Sequence, residues 1–198
     1  MPTCPGWAVK DVVAHLAGVC ADVLAGRLDG VATEPWTEAQ VVPRREMALD
    51  QILDEWADVA PQVEAIADHF PEPAGTQWVA DLTSHEHDIR TALGRPGARD
   101  SAGVTTGIEF VVTVGLDAGV KARGLPALAV QAGDRAWTVG DGEPAGNLEA
   151  STFDLVRALT GRRSIDQIRK LDWSVDPEPY LGVFQWGPFT PSPVDIDE

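Results

Sequence analysis

Positive charge is scarce in this sequence. Its 198 residues carry 15 lysines and arginines against 31 aspartates and glutamates, a formal charge of -16 at pH 7. A surface this negative repels phosphate backbones and anionic lipid, so a nucleic-acid or membrane-surface partner would need a local basic patch. The one candidate, Arg157 to Arg169, is broken by Asp166. Neither nucleic acid nor membrane is expected as a partner. Cysteine is nearly absent too. Cys4 and Cys20 make no disulfide framework and match no zinc-finger spacing, which points to reduced thiols in a cytoplasmic protein. Apolar runs are interrupted by charges or glycines before the roughly 20 residues a spanning helix needs. The stretch Met1 to Trp7 has neither the basic nor the apolar region of a signal peptide. With 44% hydrophobic residues the chain can still build a real core, as one large or two small domains.

What is present is helical periodicity, then a change of character. Val9, Val12, Val13, Leu16, Val19, Cys20, Val23 and Leu24 recur at three- and four-residue steps and predict a helix over 8–28. A loop holding Pro35 and Pro43 follows. A second helical stripe runs from about Met47 to Phe70, with a kink or break expected near Val59 because Pro61 removes a backbone donor. A third helix is predicted over 77–93, with Gly94 as its left-handed cap and Pro96 preventing continuation. A valine- and glycine-rich segment over 104–122 reads as a fourth. After residue 125, apolar arms around Ala132-Gly133-Asp134-Arg135 predict a hairpin, and 147–150 a third strand. Ser151 and Ser164 open two short helices through capping signals, and a proline-rich tail from Asp176 is expected to wrap over the surface. The fold class expected is α+β, with a helical bundle over 1–123 and a small α+β unit over 124–198.

Histidines and acids carry the chemistry. Asp81 and His85 are four apart on the third helix, so both face the same side within reach of one ion. A carboxylate and an imidazole so spaced are two-thirds of a facial triad, and His15, at the border of the first helix's apolar stripe, is the natural third ligand. Zinc, iron or nickel could use such a set. The plain alternative is a solvated acidic face with incidental histidines. His87 and Asp88 are candidates to orient the ligands or to contact the next helix, and His69 reads as a helix-end or surface histidine.

Cys4-Pro5-Gly6-Trp7, followed by Val9 and Asp11 to Leu16, resembles the opening motif of mycothiol-dependent maleylpyruvate isomerase-like proteins, a branch of the DinB/YfiT-like metal-binding superfamily. Asp81 to Ile89 is similar to the family's second motif, with aspartate where the isomerase usually has glutamate. Trp137 to Gly140, Ala158 to Ser164, Gln167-Ile168 and Asp172-Trp173 resemble the family's sterol-carrier-like C-terminal domain. The resemblance implies metal ligands His15, Asp81 and His85, zinc as the ion, and mycothiol, the low-molecular-weight thiol of actinobacteria, as cosubstrate. It also implies a helix ahead of the Cys-Pro-Gly-Trp motif. This chain starts three residues before that motif, and a missing helix predicts a homodimer or reduced stability.

Two functions from different classes follow. One is a thiol-using isomerase or S-transferase acting on a small electrophilic acid, with Arg162 and Arg163 receiving the substrate carboxylate. Surface pairing with the many acids is the plain reading of those arginines. The other is a metal-binding or regulatory module without turnover. A third, an apolar ligand in the C-terminal unit with a structural metal, finds no support in the short strands and acidic surface.

Overall fold

The structure, a computed structural model, describes residues 1–198. It is α+β, with eight α-helices and one four-stranded sheet, the helices mostly N-terminal and the strands C-terminal. Backbone contacts divide it into two compact units, Met1–Gly75 with His85–Arg95, and Thr76–Ser84 with Pro96–Glu198. This division of packing does not fall at residue 123. The helix ending near there contributes Val104, Ile108, Val111, Leu116 and Val120 to the same core as the strands.

The first unit contains α1 (Val9–Ala25), α2 (Glu34–Val41), α3 (Leu49–Glu64) and the later part of α4 (Ala74–Ala92). The α1 helix opens where the Asp11 carboxylate accepts the Ala8 N–H at 2.8 Å and closes at the left-handed Gly26. Helix α2 replaces the loop expected around Pro35. That proline sits in the first turn, where its missing N–H has no helical partner to lose. Nor does α3 break near Val59, because Pro61 lies in its last turn and the helix runs through to Glu64. Val13, Ala14 and Ala17 of α1 pack on Ile52 of α3, with Met47, Trp56 and Ile89 around them. Helices α1 and α2 meet so closely that a Cβ on Gly18 would lie 2.5 Å from the Gln40 Cβ, so only glycine fits there.

The second unit is built on one helical run, α5 (Ala102–Phe110), a π-helical segment Val111–Asp117 and α6 (Ala118–Ala122). By length and composition this run could cross a bilayer, which corrects the expectation that no segment reaches that length. Most of its large apolar residues are instead buried in the core that the strands share, Val114 being the exposed exception. Strands β1 (Leu128–Ala132) and β2 (Arg135–Val139) form the expected antiparallel hairpin, turning at the left-handed Gly133. Strand β3 (Gly146–Ala150) pairs parallel to β1, and β4 (Asp172–Trp173) antiparallel to β3, giving the order β2-β1-β3-β4. Helices α7 (Thr152–Leu159) and α8 (Ile165–Arg169) start at Ser151 and Ser164, whose hydroxyls accept the N–H groups of Asp154 and Gln167. The tail does not simply wrap over the surface. A 3-10 helix over Glu178–Phe184 buries Tyr180, Leu181, Val183 and Phe184. At roughly 1.5–3 kcal/mol for each large apolar side chain, that burial outweighs the turn-forming tendency of the flanking prolines.

Candidate metal centre

The segment Cys4-Pro5-Gly6-Trp7 is a reverse turn. Trp7 N–H donates to the Cys4 carbonyl at 3.1 Å, with proline second and a left-handed glycine third. The turn aims two side chains at one place. Trp7 stacks on His85 with ring centroids 6.1 Å apart and lies 5.5 Å from His15. The Cys4 thiol donates to Asp88 Oδ2 at 3.1 Å.

His15 and His85 are both buried, 4% and 8% exposed, with ring centroids 5.1 Å apart. Each is fixed from behind. His15 Nδ1 lies 2.7 Å from Gln40 Oε1, and Gln40 Nε2 donates to Asp22 Oδ2 at 3.0 Å. Asp22, paired with Arg27, accepts only, so Gln40 must turn its amide N–H to Asp22 and its oxygen to His15. The proton of His15 is therefore on Nδ1, and Nε2 is the nitrogen that would ligate. His85 Nδ1 lies 2.9 Å from Asp88 Oδ2, a carboxylate with no exposed surface, which assigns the same tautomer. Acceptors behind ligating imidazoles set ring orientation and raise basicity.

Asp81 stands one turn before His85 on the continuous helix α4 and is half-buried. The ligand atoms of His15, Asp81 and His85 lie within 4.8 Å of one another. Two imidazoles and a carboxylate, gathered with Nδ1 of each ring engaged, suit a divalent ion. Cys4, His85 and Asp88 form a second group within the same span, sharing His85. His69 is exposed at the end of a 3-10 turn and joins neither group.

Arg162 and Arg163 are both buried, at 8% exposed. Arg162 donates to the Thr160 carbonyl at 2.5 Å, and Arg163 to Glu198 and to Asp154, each at 2.9 Å. Burial pushes both carboxyls up, but the hydrogen bonds from Ser151 and Arg163 to Asp154, and from Arg157 and Arg163 to Glu198, together with the arginine charges, hold each below its ordinary pKa. Sequence reasoning missed Gln40 and Trp36, the latter 6.4 Å edge-on to His15, because both lie on the unforeseen α2. Thr33 and Glu34 ahead of Pro35 were the signal that marks that helix start. It also missed Arg157 and Glu198, which nothing local in the sequence connects.

Residues 1–96 match the family model described as mycothiol maleylpyruvate isomerase N-terminal domain. No curated protein and no solved structure matches the chain.

Proposed function

We propose, from the match of residues 1–96 to the family model described as mycothiol maleylpyruvate isomerase N-terminal domain, that this chain is a metal-dependent, thiol-using enzyme acting on a small electrophilic acid. The observation that carries the reading is the pair of histidines whose Nδ1 atoms are held by Gln40 and Asp88, with a ligand atom from each of His15, Asp81 and His85 within 4.8 Å of the others. A divalent ion there, zinc being the one the family resemblance implies, would supply Lewis acidity and keep a thiol as thiolate near neutral pH. His15, Asp81 and His85 would hold the ion, with Gln40 and Asp88 orienting the imidazoles. Trp7, stacked on His85, shields that side of the site from water. The reaction class is addition of mycothiol to an electrophilic carbon. Elimination after bond rotation gives an isomerase, and no elimination gives an S-transferase. With mycothiol as cosubstrate, the reading carries the expectation of an actinobacterial cytoplasm.

A non-catalytic metal module is the second reading, and one observation favours it. Cys4 is close enough to His85 and Asp88 to belong to a ligand group, and a thiolate drawn onto the ion would close its coordination. Metal analysis of protein purified without chelator or metal-affinity resin tests the site. Near-stoichiometric zinc is expected in wild type and His69→Ala, and none in His15→Ala or His85→Ala. Full metal content in His15→Ala would remove the site. Thiol-dependent turnover of unsaturated acids by the metal-loaded protein then separates enzyme from module.

A further inference from the structure

In so acidic a chain the second unit nevertheless buries three arginines, and two of them, Arg157 at 0% and Arg163 at 8% exposed, turn their guanidiniums to one place. Burying such charges costs several kcal/mol apiece unless matched acceptors surround them. What both face is the side chain of Glu198. Arg157 Nε donates to Oε2 at 2.8 Å and its Nη2 to Oε1, while Arg163 Nη1 donates to Oε2 at 2.9 Å. Three charge-assisted bonds from two guanidiniums onto one carboxylate is the geometry by which proteins recognise carboxylate ligands.

The two arginines are also held by groups other than Glu198. Arg157 Nη1 donates to the Ser84 carbonyl at 2.9 Å, three residues beyond Asp81 on α4. Arg163 donates to the Arg162 carbonyl at 2.8 Å and to Asp154, and its guanidinium lies 5.7 Å over the Phe153 ring. Glu198 arrives differently, on a strap over 191–198 that has no helix or strand and in which Ile196 is the only buried apolar residue. Gln167 brackets Ile196 with two hydrogen bonds, at 2.9 and 3.1 Å, and Ser164 holds Asp195. The receiving pocket is thus part of the core, whereas its occupant hangs on a few polar anchors.

We propose that Arg157 and Arg163 form a carboxylate-binding pocket, that Glu198 is its built-in occupant, and that a small carboxylic acid takes the same place when the strap lifts. The proposal rests on the thiol-enzyme reading for its substrate class, a small unsaturated acid. It moves the anchoring role from Arg162, engaged by the Thr160 carbonyl, to Arg157.

The test uses the full chain and malonate as probe. Calorimetric melting of Glu198→Ala is followed with malonate or with chloride at equal ionic strength. The variant is expected to melt below wild type and to be restored saturably by malonate but not by chloride, with wild type unmoved. Glu198→Gln, which keeps the strap's shape, is titrated with malonate by isothermal calorimetry, and binding at least about tenfold tighter than to wild type is expected. If Glu198→Ala does not fold, that titration decides alone. No malonate effect beyond the chloride control, or equal binding to Glu198→Gln and wild type, overturns the pocket and leaves a purely structural ion pair. Neither measurement needs metal or thiol. Malonate entry in a protein that retains no metal would keep the pocket and sink the enzyme reading, and metal-dependent turnover without malonate entry would do the reverse.

Discussion

Replacing Asp88 tests how the centre is held together. Its carboxylate is fully buried, accepts His85 Nδ1–H at 2.9 Å and takes the Cys4 thiol at 3.1 Å. Asp88→Ala removes the carboxylate that accepts the His85 Nδ1–H. The ring can then rotate, or carry its proton on Nε2, where it cannot ligate. Loss of such an acceptor behind a ligating histidine weakens metal binding by about 10–100-fold, or roughly 1.4–2.7 kcal/mol. Asp88→Asn keeps the shape and an acceptor oxygen for His85 while losing the charge, so its loss should be near the lower end, about tenfold. Cys4→Ala removes one weak donor from the same carboxylate and should cost about threefold at most, with Cys4→Ser restoring it. Competition against a chromophoric chelator reads the affinities, and far-UV circular dichroism of the metal-free proteins separates lost ligation from lost fold. A folded Asp88→Ala or Asp88→Asn protein that binds zinc as tightly as wild type would refute the reasoning, because His85 would then be oriented by something else.

What is legible in the sequence of this candidate centre is what a helix repeats locally. Asp81 and His85 share a face because four residues make just over one turn, and His15 falls on the buried side of α1 by the same period. What it hid lies at long range. The Gln40 that fixes His15 is 25 residues away, and Cys4 meets Asp88 across 84. No periodicity marks such partners; they are set by where the helices pack. Proline misled in both directions, because its effect depends on position within the helix. Pro35 in a first turn and Pro61 in a last turn were both compatible with helix, though each resembles a breaker when read without its neighbours. Along the tail, Tyr180 to Phe184 was an apolar cluster hidden between prolines, and only the core it fills gives it meaning. The helix over 102–122 is the opposite case. Its composition was plain, but whether its apolar surface meets lipid or protein is decided by the sheet packed on it.

Two further predictions bear on the second unit. A Cβ on Gly107 would sit 2.9 Å from the Ala80 Cα, backbone that cannot rotate away. Gly107→Ala should therefore cost about 1–3 kcal/mol, read as a lower urea midpoint. It should also loosen zinc binding, because Ala80 precedes Asp81; unchanged stability would mean α4 and α5 have room to part. The other concerns acid. Glu198 is buried, which raises its pKa, but Arg157 and Arg163 more than offset this and leave it below the ordinary value. A carboxyl whose folded pKa is depressed binds fewer protons folded than unfolded. Its contribution is thus complete above the ordinary glutamate pKa of about 4.3 and is lost as pH falls through the lower folded value. Asp154 is shifted the same way, but its side chain is 45% exposed and solvent screening makes its share small. Urea midpoints of wild type and Glu198→Gln should differ most at neutral pH and converge as acid protonates the wild-type carboxylate below the ordinary glutamate value. A gap that stays constant over that range would show that glutamine disturbs the strap by shape alone, and that the charge on Glu198 does not hold it between the two arginines.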